Sequence, residues 1–198
     1  PKMENPHAVF LTAESEAITY NYELNLREPD VLPDPRIAHT LNLQTDEYGN
    51  VLQAIAVVYP RLGRHEDATL PDGAEELIES VQRESHLSYT INSFTNDVAE
   101  GNDYRLRSPC EVQNFELTGL FPSTGFYFSL EELRNITATN ISTIPYHLLP
   151  NNTSLQKRMV ECLRILYFGD DVQTPQPFGQ MNALALPYET YKLALTEE

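Results

Sequence analysis

Apolar and polar positions alternate along most of the first half of the chain. Ile18, Tyr20, Tyr22 and Leu24 alternate with Thr19, Asn21 and Glu23, the period of a strand with one buried face. Ile37, His39, Leu41 and Leu43 then alternate with Ala38, Thr40 and Asn42. Thr45 to Asn50 turns the chain, and Val51 to Tyr59 returns as an apolar strand. Tyr48, Gly49 and Asn50 form the turn of this hairpin, because Gly and Asn both tolerate the positive φ that a tight reversal demands. Farther on, Leu87, Tyr89, Ile91 and Phe94 predict another strand, followed by a polar turn over 96–103. Residues 108–120 predict one more, whose apolar phase slips between Val112 and Phe115, as a bulge near Asn114 makes it do.

Helical spacing is sparser. Ala74 to Arg83 places Leu77, Ile78 and Val81 on one stripe, with Glu75 and Glu76 near the positive end of the helix dipole. Ser129-Leu130-Glu131-Glu132 is a capping-box pattern that opens a short helix. Thr153-Ser154-Leu155-Gln156 repeats that pattern ahead of Leu155, Met159, Cys162, Leu163 and Leu166, which predicts a helix over 154–167 ending before Gly169. Its Lys157, Arg158 and Arg164 then lie outward and form a candidate partner face. The tail alternates Leu184, Leu186 and Tyr188 before Tyr191 and Leu193. The fold class is therefore mainly β with a few helices (α+β): an antiparallel hairpin sheet carrying two or three short helices. We read residues 1–198 as one domain or a segment of a larger protein, with exposed loops near 28–35, 60–73 and 170–179.

Composition narrows the function. Of 198 residues, 41% are hydrophobic and 21% charged, a globular balance. Acidic residues number 29 against 13 Lys and Arg, for a net charge of −16, which argues against nucleic acid and anionic membrane as partners. No two of the eight glycines lie closer than six apart, so neither a dinucleotide loop nor a phosphate-cradling Walker loop can be written. No apolar run approaches the ~20 residues of a membrane-spanning helix. The first five residues carry no apolar stretch of a secretory signal, and a first residue of Pro points to a piece of a longer chain.

Candidate chemistry is thin. Cys110 and Cys162 lie 52 positions apart, which allows a single disulfide, and read first as two buried thiols. Asp46/Glu47, Glu66/Asp67, Glu75/Glu76, Glu131/Glu132 and Asp170/Asp171 are adjacent acid pairs, which turns and helix starts select, whereas glycosidase chemistry needs carboxyls held across a cleft. His65-Glu66 lacks a second His four residues on, and His39 is in phase with the core. Sequons at Asn135, Asn140, Asn151 and Asn152 are read as incidental. The residues therefore assign no catalytic group, no metal ligand and no cofactor.

Several blocks carry a resemblance. Asp34 to Leu43 followed by Asp46 to Leu52, Arg105 to Val112 with Phe115 to Gly119, Leu155 to Arg158 with Arg164 to Tyr167, and Ala183 to Ala194 together resemble the B component of the Tc insecticidal toxin complexes. The blocks also have the strand–turn–strand character of Rhs/YD-repeat shell proteins, and they span residues 34–194 in one order. The resemblance implies a middle-to-C-terminal piece of that component, a fragment of a larger β shell built with the C component around a cytotoxic cargo. It implies docking on the A component through other regions, a secreted, extracellular complex, and no catalytic residue at any position here. The alternatives are a non-catalytic adaptor using loop 60–73 and the basic residues of 154–167, and a carboxylate-dependent hydrolase of sugars.

Overall fold

The computed structural model describes residues 7, 9–22, 34–63, 69–151 and 153–194. Most of loop 28–35, the end of the first expected strand (Glu23, Leu24), the Arg64–Ala68 part of loop 60–73 and Asn152 lie outside the described residues.

The chain is mainly β, with ten strands and two short helices among the described residues. The strands are β1 (Glu16–Asn21), β2 (Arg36–Thr45), β3 (Val51–Val58), β4 (His86–Phe94), β5 (Val98–Glu100), β6 (Asp103–Arg105), β7 (Pro109–Thr118), β8 (Ser142–Ile144), β9 (Gln156–Tyr167) and β10 (Pro187–Lys192). Helix α1 spans Ala74–Gln82 and α2 spans Leu130–Thr137. One sheet runs β1-β2-β3-β4-β7-β9-β10, antiparallel throughout, and β8 adds to it by pairing parallel to the start of β9. The β5–β6 hairpin stands apart, so the polar turn expected over 96–103 is a small hairpin closed by Gly101 at φ +61°.

The alternation in β2 buries Ile37, His39, Leu41 and Leu43 on one face, where Ile55, Val57, Leu87, Tyr89, Phe115 and Leu117 from β3, β4 and β7 join them. Phe128, α2 through Leu133, and Ile141 cover that layer. Ser129 caps α2 by accepting from the Glu132 N–H, as its capping pattern predicts, while the Glu132 carboxylate turns to the Ser123 N–H. Arg134 Nε donates to the Leu43 carbonyl at 2.7 Å and ties α2 to β2. A second, smaller cluster of Cys110, Tyr167 and Met181 fills the opposite face near the sheet's far end.

Two expectations fail for physical reasons. The segment 154–167 is not a helix: its residues form β9, the longest strand, held between β7 and β10. A bulge explains the false signal. Phe115 pairs with Met159 but Asn114 pairs with Glu161, so Val160 is extra and the side chains change phase there. Lys157 and Met159 before the bulge and Cys162, Arg164 and Leu166 after it share one face, which imitates the spacing of a helix. The capping pattern at 153–156 is spent on a turn, in which Asn151 Oδ1 accepts from Thr153 N, Ser154 N and Ser154 Oγ. The slip expected near Asn114 therefore falls at the right register, with the inserted residue on the neighbouring strand. Second, β1 buries no face: it is an edge strand, with Ile18, Tyr20 and Tyr22 exposed. The helix expected over 74–83 does form, as α1, with Leu77 and Val81 of its stripe exposed.

Candidate interaction surface

The β2–β3 turn is built from Asp46. Its carboxylate accepts from Tyr48 N, Asn50 N and Asn50 Nδ2, and Gly49 supplies the one positive φ in the turn, +86°. Asn50 keeps a negative φ and closes the turn by its side chain instead. Arg107, just before β7, reaches across to this turn. Its guanidinium contacts Asp46 Oδ2 at 3.2 Å, Glu47 Oε1 at 2.6 Å and Asp97 Oδ2 at 2.7 Å, and it lies 4.7 Å over the Tyr48 ring. The hydrogen bonds from Arg107 hold the Asp97 carboxyl down at about 2. Burial works to raise Asp46, and the hydrogen bonds from Asn50 and Tyr48, with the Arg107 charge, outweigh it. One arginine thus staples the β2–β3 turn to the base of the β5–β6 hairpin.

The three basic residues of β9 do not form one outward face. The strand alternates them, with Lys157 and Arg164 on the side of Phe115 and Arg158 on the other. Lys157 Nζ lies 5.2 Å from the Phe115 ring centre. Arg158 Nε donates to Glu116 Oε2 at 2.8 Å, and its Nη1 caps the Tyr146 and Leu148 carbonyls. Arg164 Nε donates at 2.8 Å to Glu111 Oε1, and Cys162 Sγ contacts the same oxygen at 3.7 Å. Glu111 is only 7% exposed, so this pair sits where a lone carboxylate would be costly to bury. The Arg164 guanidinium also stacks 4.2 Å from the Phe178 ring, at the wall of an apolar groove shared with Leu166, Pro175, Tyr191 and Leu193.

The opposite side of the same strands carries a polar ladder. Thr90 Oγ1 donates to Asn114 Oδ1, Asn114 Nδ2 donates to Glu161 Oε2, and Lys192 Nζ lies 2.9 Å from Glu161 Oε1, linking β4, β7, β9 and β10 in turn. The Lys192 hydrogen bond leads the causes that lower the Glu161 carboxyl.

Several of the candidate chemical groups are spent on structure. Among the described residues, no three His, Cys, Asp or Glu side chains converge to hold a metal ion. Asp171 caps Gln173 and Thr174, and Asp170 accepts from Leu184 N, so these acids of the expected pairs serve turns. Both cysteines are free; burial pushes both thiols up, away from the reactive thiolate. His39 is a buried core histidine, its Nδ1 2.9 Å from the Tyr59 hydroxyl, which also accepts from Phe128 N. No described helix is long and apolar enough to cross a membrane.

Sequence spacing could not reveal the Arg107 staple, the Glu111–Arg164 pair or the polar ladder, since each joins residues from different strands. The model of the insecticide toxin TcdB middle/C-terminal region matches residues 1–106. None of the curated proteins compared matches the chain. Among solved structures, TcdB2–TccC3–TEV superposes with a TM-score of 0.60 at 21% identity, covering 90% of this chain and 8% of that one. TcdB2–TccC3 without its hypervariable C-terminal region gives 0.54 at 18% identity, and TcdB2–TccC3–Cdc42 gives 0.53 at 19%, with the same coverages. At these identities the likeness concerns the fold, and the chain spans less than a tenth of the length of each of these solved chains.

Proposed function

The chain belongs to the family of the insecticide toxin TcdB middle/C-terminal region, and from that premise we propose that it is a wall segment of a toxin shell, with a structural rather than a catalytic role. In this reading it lies in the B component of a secreted toxin complex, pairs with a C component to enclose a cytotoxic cargo, and reaches the A component only through other regions of its parent protein. The observation that carries the reading is the open-edged sheet. Among the described residues β1 pairs only with β2 and β10 only with β9, so the sheet offers a bare edge at each end for strands of a larger enclosure. The crossed ties support it: Arg107, Glu111–Arg164 and the polar ladder each bind neighbouring strands laterally, as a wall requires.

The test is protection of cargo. A polypeptide placed behind the C component should survive trypsin when co-expressed with the full-length B component. It should be digested when prolines replace Thr190 and Tyr191 in β10, while size-exclusion chromatography still finds B and C together. Cargo equally protected with β10 broken would remove the wall reading.

A second use of β9 is compatible with this one. Arg158 is committed to Glu116 and two carbonyls and its side chain is only 19% exposed, whereas that of Arg164, though paired with Glu111, is 45% exposed. Lys157 and Arg164 are therefore the members of the basic set that we propose as a partner face, Arg164 through the groove beside Phe178. Binding of the C component that survives charge reversal of both would remove it.

A further inference from the structure

One end of the sheet, where β3 stops and β4 begins, gathers exposed apolar side chains that the fold does not use. Leu77 and Val81 on α1 are 67% and 56% exposed, Leu62 is 62% exposed and Phe121 is 74% exposed. A nine-residue helix has little stability of its own and ordinarily depends on burying its apolar stripe. This one buries no residue, and its Gly73 N-cap contributes no side-chain hydrogen bond. The last turn of α1 is tied to the chain after β3 by the bond from Arg61 N to the Gln82 carbonyl, 2.8 Å.

Directly past that turn lies a cleft of about 520 Å³, lined by Arg83, Glu84 and His86 on one side and by Phe121, Phe126 and Pro150 on another. Arg83 and Glu84, at the end of α1, line the cleft, so helix and cleft adjoin there and we treat them as one surface. Its charge is one-sided: residues 72–86 hold Asp72, Glu75, Glu76, Glu79 and Glu84 against Arg83 alone among Lys and Arg. Arg83 is itself paired with Glu79 at 2.6 Å.

We propose that this surface docks a segment of a separate polypeptide that carries a large apolar anchor residue beside lysines or arginines. The anchor enters the cleft against Phe121 and Phe126, where burial of a single large side chain carries most of the affinity of such contacts. The neighbouring cations meet the acidic flank of α1, which sets orientation and rejects acidic competitors. The apolar stem of the segment covers Leu77 and Val81, supplying the burial that α1 lacks. This inference does not rest on the wall reading, since it concerns a helix and a cleft at the end of the sheet where β4 begins and β7 stops, not the bare edges at β1 and β10.

The test uses full-length B component and three fluorescent peptides: one with a Trp among four lysines, one with Glu in place of each Lys, and one with Ala in place of the Trp. Anisotropy should show the Trp–Lys peptide binding at least about tenfold more tightly than either control, a difference that rising salt narrows toward the acidic peptide. Leu77→Ser with Val81→Ser, and separately Glu76→Lys with Glu84→Lys, should each weaken it about tenfold. All four positions are on the surface, so unchanged circular dichroism melts should accompany the loss. Equal binding of the three peptides, absence of binding, or affinity untouched by both double variants would overturn the proposal. So would concentration-dependent dimerisation abolished by Leu77→Ser with Val81→Ser, which assigns the stripe to a second copy.

Discussion

Replacing Gly119 by alanine tests the tightest site among the described glycines. Gly119 ends β7 with φ +72°, and a Cβ there would stand 2.0 Å from the Ser154 carbonyl oxygen and 2.3 Å from its carbon. Two costs add. A left-handed conformation costs an L-residue roughly 1–2 kcal/mol, offset by about 0.4–1 kcal/mol because alanine also restricts the unfolded chain. The contact then has to open from 2.0 Å to the 3.4 Å at which ordinary contact begins, a shift of about 1.4 Å. The atoms in the way are backbone and cannot swing aside as a side chain does, so strain of overpacking size, about 1–3 kcal/mol, is added. Gly101 is the matched control, because its φ is +61° and a Cβ there meets nothing within 4 Å. Gly119→Ala should therefore destabilise by about 2 kcal/mol more than Gly101→Ala, or roughly 4–8 °C in Tm for a chain of this size. Urea melts of the two variants measure the difference. Hydrogen exchange locates it, with protection lost first at Gln156–Arg158, where β9 begins and β8 pairs with it. Equal losses in the two variants would refute the steric argument.

Other consequences follow from the same geometry. Because Asp97 is held at about 2, below its ordinary 3.8, its contribution to stability is complete above the ordinary value and disappears as pH falls through about 2; NMR titration should show that low midpoint and its return to the ordinary range in Arg107→Gln. Leu41→Ala removes a wholly buried side chain from the centre of β2 and should cost about 2–5 kcal/mol in a denaturant melt; a loss below 1 kcal/mol would mean that the covering layer of α2 and Phe128 collapses into the space. Thiol labelling at neutral pH should reach half-buried Cys162 slowly and Cys110 only after unfolding; equal rates in the native state would contradict the packing around Met181 and Tyr167.

Local pattern is most legible where one strand has one unbroken alternation and a buried side. Strand β2 and the Leu87–Ile91 part of β4 meet that condition; the turn into the apolar strand β3, the strand character of β7 despite its slip, and the cap of α2 are also stated directly by the sequence. The α1 stripe is equally clear, yet its burial is not: the pattern predicts that Leu77, Ile78 and Val81 can pack, and only a neighbouring surface decides whether they do. Periodicity misleads at β9, where the extra Val160 converts a two-residue alternation into spacings of three and four. A single inserted residue is invisible to periodicity until the partner strand, β7, fixes which side chains share a face.

The candidate surface divides in the same way. The acidic surplus, the separated cysteines and the wide spacing of the glycines are properties of composition and order, and from them alone come the exclusion of phosphate-cradling loops and the preference for packing over chemistry. Where each charge is spent depends on strand order. Arg107 meets Asp46 across 61 positions and Arg164 meets Glu111 across 53; both contacts exist because antiparallel pairing and loop return bring distant stretches side by side. Sequence therefore determines the elements and their apolar sides, through forces acting over a few residues. Tertiary structure alone decides edges, lateral ties and uncovered faces, because these depend on which strand lies next to which.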